Sequence, residues 1–142
     1  MLYVGDLMTT KLFTLKRADT LHAARALMEF ARVRHIPIVD SRGDFQGLLT
    51  HRDILSATIS HFADVDDAVQ SEIDAGIPVS ELMRKDVVVV SPTTLLRDAA
   101  DILLHHKYGC LPVVEGTQLV GIITEADFLK LTIRLLDAAG TP

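Results

Sequence analysis

Tryptophan is absent from this 142-residue chain, aromatic residues make up only 5% of it, and Cys110 is the one cysteine. Each shortage closes off a class of function. A lone thiol forms no intramolecular disulfide, and it builds neither a zinc ribbon nor a Cys-x-x-Cys redox pair. Aromatics this sparse give no platform on which the bases of a single strand could stack. Basic residues are in the minority: 14 Lys and Arg against 19 Asp and Glu leave a formal charge of −5, with no basic stripe to offset it. Nucleic acid is therefore not an expected partner. Apolar runs such as VVVV and IIT fall far short of the roughly 18 residues that cross a bilayer. The opening MLYVGDLMTT has neither a basic nor an apolar signal region. No membrane partner is expected, and a reducing cytoplasm is the expected compartment.

What the chain has in plenty is aliphatic side chains. Hydrophobic residues make up 49% of it and mean hydropathy is positive, more than one small core consumes. The surplus predicts a further buried surface, a homodimer interface.

The chain also repeats itself. At an offset of 75 residues, Leu7-Met8 falls on Leu82-Met83, Leu21 on Leu96, Ala24 on Ala99, Pro37 on Pro112 and Val39 on Val114. One residue drops out between SRGD and EGTQ. At an offset of 74, Gly47, Thr50, Asp53 and Leu55 then meet Gly121, Thr124, Asp127 and Leu129. An internal copy decides the architecture before any other pattern does.

Both copies read β-α-β-β-α. LFTL (Leu12 to Leu15) and VVVV (Val87 to Val90) are short strand-forming runs. Asp19-Thr20 and Thr93-Thr94 offer helix-capping oxygens. Behind them Leu21, Ala24, Leu27, Met28 and Ala31 recur at helical spacing, as do Leu96, Ala99, Ile102 and Leu103. Arg25, Glu29 and Arg32 are expected on the solvated face of the first of these helices. HIPIVD and CLPVVE each carry a proline, which predicts an edge strand or a strand start. FQGLLT and LVGIIT follow after Gly-containing turns, and a helix is predicted from Thr50 and from Thr124. The division is repeat 1 at 1–60, an acidic helical extension and linker at 61–78 ending by Gly76, and repeat 2 at 79–142. The linker is expected to be a solvated spacer.

The repeated phrase is Gly-h-h-Thr-x-x-Asp, with h apolar. On residue chemistry alone it is close to a capping box, in which a Thr hydroxyl accepts from the N3 amide and the acidic side chain reaches back. The same place, where strand hands over to helix, also presents free amides suited to a phosphate. Both readings stand at this point.

The opening DLM and ELM, the IPIV and LPVV strands and the two Thr-x-x-Asp phrases together resemble the cystathionine-β-synthase (CBS) domain, present twice as in a Bateman module. The resemblance runs from about Val4 to Leu131. It implies an α/β (α+β) fold of two repeats packed through their sheets with pseudo-twofold symmetry and two clefts between them. It also implies dimerisation and regulatory binding of an adenosine-containing ligand: AMP, ADP, ATP, S-adenosylmethionine or a dinucleotide. Carried over, Asp53 would accept from ribose hydroxyls and Thr50 would contact ribose or phosphate. Arg34, His35, Ile36 and Pro37 would line the adenine slot, with Thr14, Leu15 and Lys16 at its border. The second set is Thr124 and Asp127 with Gly109, Cys110, Leu111 and Pro112, bordered by Val89, Val90 and Ser91.

The copies differ at the free positions. His51 and Arg52 in the first, with Arg34 nearby, suit a phosphate. Glu125 and Ala126 in the second put a further carboxylate there. The first site is therefore expected to be the better nucleotide site, and the second weaker, empty or suited to a less charged ligand. Six histidines are present, yet none at metal-binding spacing, and His105-His106 is expected to be structural. Met8, Met28 and Met83 are expected to pack, and Cys110 to be a small buried strand residue. No nucleophile elbow, P-loop or dinucleotide fingerprint is present. The expected function is a stand-alone, non-enzymatic sensor acting on an unknown protein or on its own dimer. The alternatives are a ligand-free dimerising module and, remotely, a nucleotide-processing enzyme.

Overall fold

A computed structural model of the chain describes residues 2–61, 72–106 and 109–140, with side chains described outside 57–61. The chain divides into two compact units, one of residues 1–12 and 88–142, the other of 13–87. The units cut across the sequence repeats, because each repeat's opening segment joins the body of the other. Leu2 O accepts from Leu96 N, and Val4 N donates to Thr94 O. The same bonds recur in the other unit, where Ile77 O accepts from Leu21 N and Val79 N donates to Asp19 O. Val4 is fully buried among Val90, Leu96, Ala99, Leu111 and Ile123, while Val79 and Met83 are buried with Leu21, Ala24, Ile36 and Leu49.

In the unit of 13–87, helix α2 (Leu21–Ala31) begins where Thr20 Oγ1 accepts from Ala23 N at 3.2 Å. It buries Leu21, Ala24 and Met28 and ends at Arg32, which turns left-handed at φ 56°. Strands β1 (His35–Val39) and β2 (Phe45–Thr50) pair antiparallel, with His35 opposite Thr50, and helix α3 (His51–His61) follows directly. Residues 72–75 are helical and are followed by a turn at Gly76; the rest of the expected extension, 62–71, lies outside the described residues. A 3-10 turn, Val79–Glu81, leads to Arg84.

The other unit opens on helix α1 (Val4–Leu7). Helix α4 (Leu96–His105) precedes strands β3 (Cys110–Glu115) and β4 (Gln118–Thr124), paired with Cys110 opposite Thr124. Helix α5 (Glu125–Ala138) closes it. Each hairpin carries one irregularity at the same place, after Ile38 and after Val113.

Four sequence expectations change. LFTL and VVVV are not full strands: each makes one parallel bridge, Leu15 with Ile38 and Val90 with Val113. The reason lies in the prolines. Leu15 N donates to Pro37 O and Leu15 O accepts from Val39 N. The next rung back would need an N–H that Pro37 lacks, and Pro112 stops Val90 in the same way. The prolines themselves sit inside their strands, not at the starts, although each strand is an edge of its two-stranded sheet. Thr94 does not cap α4: its hydroxyl takes Ser91 N at 3.0 Å, and the N-cap residue is Leu95. Finally, Arg25 is not on a purely solvated face, nor is the spacer wholly solvated, since Arg25 pairs with Asp74, which is 1% exposed. Among the described residues no helix is long and apolar enough to cross a membrane.

Candidate functional site

The repeated phrase divides into parts with different physical causes. Three of its four aliphatics are core: Leu48, Leu49 and Ile123 are fully buried, while Ile122 is half-buried. Its glycine makes room. A Cβ on Gly47 would lie 2.8 Å from Met83 Sδ and 2.9 Å from Arg84 O, and one on Gly121 would lie 2.7 Å from Met8 Sδ and 3.1 Å from Thr9 O. The opening Leu-Met segment of the other repeat crosses there, bonded in both directions: Arg84 to Leu48 at 2.8 and 2.9 Å, Thr9 to Ile122 at 2.8 and 3.0 Å.

Thr and Asp form the capping box in both units. Asp53 Oδ2 accepts from Thr50 N at 3.3 Å and from Thr50 Oγ1 at 2.7 Å, while Thr50 Oγ1 accepts from Asp53 N at 3.1 Å. Asp127 Oδ2 accepts from Thr124 N at 2.9 Å and Oγ1 at 3.2 Å, and Asp127 N donates to Thr124 Oγ1 at 3.4 Å. Both carboxylates are thereby fixed at a helix N-terminus, where the dipole favours negative charge. Thr50 and Asp127 are each only 7% exposed.

Two further residues complete these sites, and the sequence reading missed them. Arg84 grips Asp53, Nη2 to Oδ1 at 2.8 Å and Nε to Oδ2 at 3.3 Å. Thr9 holds the matching place in the other unit, its hydroxyl donating to Asp127 Oδ1 at 3.2 Å. The signal was present: both follow the repeated Leu-Met at the same offset. What the sequence did not reveal is that this segment folds back onto a Thr-x-x-Asp phrase.

The other candidates of the first set fall in the same unit. Arg34 O accepts from His51 N at 2.8 Å, so Arg34 stands beside the start of α3, with Arg34 and Arg52 exposed and His51 half-buried. His35 is half-buried, and Ile36 and Pro37 are buried within β1. Thr14 and Leu15 are half-buried, while Lys16 is exposed beyond the single bridge. In the second set, Gly109 O accepts from Glu125 N at 3.2 Å. Gly109 takes φ 75°, the left-handed region a glycine adopts freely. Cys110, Leu111 and Pro112 are buried, Val90 is buried, Ser91 is half-buried, and Val89 is exposed. Buried strand residues can meet a ligand only through their backbone. Glu125 and Ala126 are exposed on the first turn of α5.

Burial pushes the Cys110 thiol up to about 12, so it stays protonated at neutral pH and is a poor nucleophile. No group of three or more His, Cys, Asp or Glu that could hold a metal occurs among the described residues. His105 Nδ1 lies 2.8 Å from Asp101 O within its own helix, a structural role.

A family profile described as "CBS domain" matches residues 4–60 and 79–134. The CBS domain-containing protein YhcV of Bacillus subtilis is 34% identical over 124 residues, 87% of this chain and 81% of that protein. Among solved structures, AcuB of Vibrio cholerae superposes with a TM-score of 0.82 at 39% identity, covering 100% of this chain and 99% of that one. CBSX2 of Arabidopsis thaliana, solved in complex with AMP, gives a TM-score of 0.79 at 28% identity, over 95% of this chain and 98% of that one.

Proposed function

We propose, from the premise that this chain belongs to the CBS domain family as a pair of CBS repeats, that it is a non-enzymatic regulatory module sensing an adenosine-containing ligand of the AMP, ADP and ATP class. The observation that carries the reading is Asp53. Its carboxylate is held rigid by Thr50 at the N-terminus of α3 and turned toward a cation, with Arg34 and Arg52 exposed close by along the chain. A carboxylate so placed can accept from both hydroxyls of a ribose, and the amides and cations around it suit a phosphate. CBSX2 with AMP supports the ligand class. Ile36 and Pro37 would offer backbone groups and a wall to the base. The second set, around Thr124 and Asp127, has Glu125 in place of the cations and would take a less charged ligand such as a nucleoside or S-adenosylmethionine. Binding would bias the module between two packing states, and through them an unidentified protein or the chain's own dimer.

The test is a thermal-shift panel of AMP, ADP, ATP, NAD and S-adenosylmethionine. A true ligand at 100 times its Kd stabilises by about 2.7 kcal/mol. Asp53→Asn, which keeps the shape of the capping box, is expected to remove that shift while the unliganded protein still melts cooperatively. A panel in which no compound raises Tm would overturn the reading.

A second reading, a dimerising module, is compatible with the first and is favoured by α5. Leu129, Ile133 and Leu136 recur along one helix stripe and are 64%, 58% and 59% exposed. The same helix contributes Phe128 and Leu131 to an apolar groove of about 550 Å³ shared with Leu95, Leu96 and Ala100 of α4 and its cap. Apolar surface this contiguous is uncommon on a monomer. The 15.6 kDa chain is expected to elute at twice that mass by light scattering. Ile133→Glu with Leu136→Glu is expected to return it to the monomer mass. Elution of the unmodified chain as a monomer throughout the micromolar range would refute a dimer.

A further inference from the structure

We propose that Arg84 is the specificity-determining residue of the Thr50–Asp53 site: it makes that site select phosphorylated adenosine ligands and reject the bare nucleoside. The inference rests on the ligand reading above and goes beyond it by assigning selectivity to a residue outside the Thr-x-x-Asp phrase.

Asp53 has few acceptor positions left open. Its side chain is 13% exposed. Oδ2 already accepts from Thr50 N and Thr50 Oγ1, and Arg84 closes the set by taking both oxygens through Nε and Nη2. A ribose diol brings two donors and needs Oδ1. With three donors already on Oδ2, both hydroxyls find places on Oδ1 only when Nη2 gives up its own there. The guanidinium therefore competes with the sugar for one atom.

The competition has different outcomes for different ligands. An ion pair open to water is worth at most about tenfold in an equilibrium constant, and the Arg84 side chain is 41% exposed, so displacement is affordable. A nucleoside that displaces Arg84 breaks a two-bond charge pair and returns nothing to the cation. A nucleotide brings its own anion, and a guanidinium binds phosphate by the same two-pronged geometry that it uses for carboxylate. Arg84 can then exchange one partner for another. Its main chain stays anchored to Leu48 in both directions, so only the side chain has to move.

The internal repeat supplies the control. At the equivalent position Thr9 gives Asp127 a single neutral hydrogen bond at 3.2 Å. A hydroxyl yields to a sugar with little loss and offers no charge to a phosphate, and Glu125 stands exposed on the same helix start. The two carboxylates are thus alike in their capping and opposite in what guards them.

The test is calorimetric titration of the wild type and of Arg84→Thr, which copies the other unit, with AMP and with adenosine at low salt. Asp53→Asn run in parallel identifies the heat that belongs to this site. The expected result in Arg84→Thr is weaker AMP binding and tighter adenosine binding, so that the AMP-to-adenosine affinity ratio falls by roughly tenfold. Arg84→Lys keeps the charge but not the paired geometry and is expected to give an intermediate ratio. It also serves if the threonine variant folds poorly, and AMP binding is expected to weaken with salt in the wild type and in Arg84→Lys but less so in Arg84→Thr. An unchanged ratio, with AMP binding still dependent on Asp53, overturns the role of Arg84 and leaves the ligand reading intact. Absence of Asp53-dependent binding of either compound to the wild type overturns both.

Discussion

Replacing Arg25 by methionine is expected to cost about 2–3 kcal/mol, since it takes the cation from a buried carboxylate but out of a pair that Arg25 leaves partly open to water. The aliphatic stem is kept, so packing changes little. What is lost is the cation beside Asp74, whose side chain is 2% exposed while that of Arg25 is 29% exposed. A carboxylate out of reach of water cannot recover its hydration, whereas a cation at the rim can. Asp74→Ala is therefore expected to cost less than Arg25→Met, although it deletes the other half of the same pair. For a chain of this size the larger loss lowers Tm by roughly 10 °C. Arg25→Met combined with Asp74→Leu is expected to regain most of it, because two apolar groups leave no buried charge behind. Calorimetric melting of the four proteins checks the order. Equal losses for the two single changes would show that the burial asymmetry does not govern the pair.

The second large effect is at Gly47. An alanine Cβ there would approach Arg84 O to 2.9 Å and Met83 Sδ to 2.8 Å, inside the distance that real methyl groups keep. The sulfur can swing aside, but the carbonyl cannot move freely, since Arg84 is bonded to Leu48 through both its N–H and its C=O. Gly47→Ala is expected to destabilise by about 1–3 kcal/mol, as overpacking does. Gly121→Ala meets the backbone only at 3.1 Å and mainly displaces the Met8 thioether, so its cost should be the smaller. Denaturant midpoints of the two variants decide this. A Gly121→Ala protein less stable than Gly47→Ala would contradict the account of a backbone clash.

Gly47 also shows how far the residues alone could be read. The repeat, its offset, the hairpins and the helix faces were all legible, because apolar periodicity and paired Pro and Gly are local properties of the chain. The resemblance to CBS repeats drew on the same marks. Three things were not legible. The strands expected at LFTL and VVVV shrink to single bridges, because Pro37 and Pro112 withhold the donor that the neighbouring strand needs. The glycine of the phrase has no local reason within its strand until the crossing Leu-Met segment is seen against it. And Asp53, which reads as a cap or as a sugar ligand, both caps α3 and pairs with Arg84.

The residues alone were enough for the duplication, the helices and hairpins of the β-α-β-β-α outline, and the capping boxes of Thr50–Asp53 and Thr124–Asp127, since each depends on residues a few places apart. Only the tertiary structure decided which repeat's opening segment lies on which body. That choice brings Arg84 to Asp53 across 31 residues and Thr9 to Asp127 across 118. Contacts over such separations depend on the global path of the chain, and no local propensity or spacing encodes them.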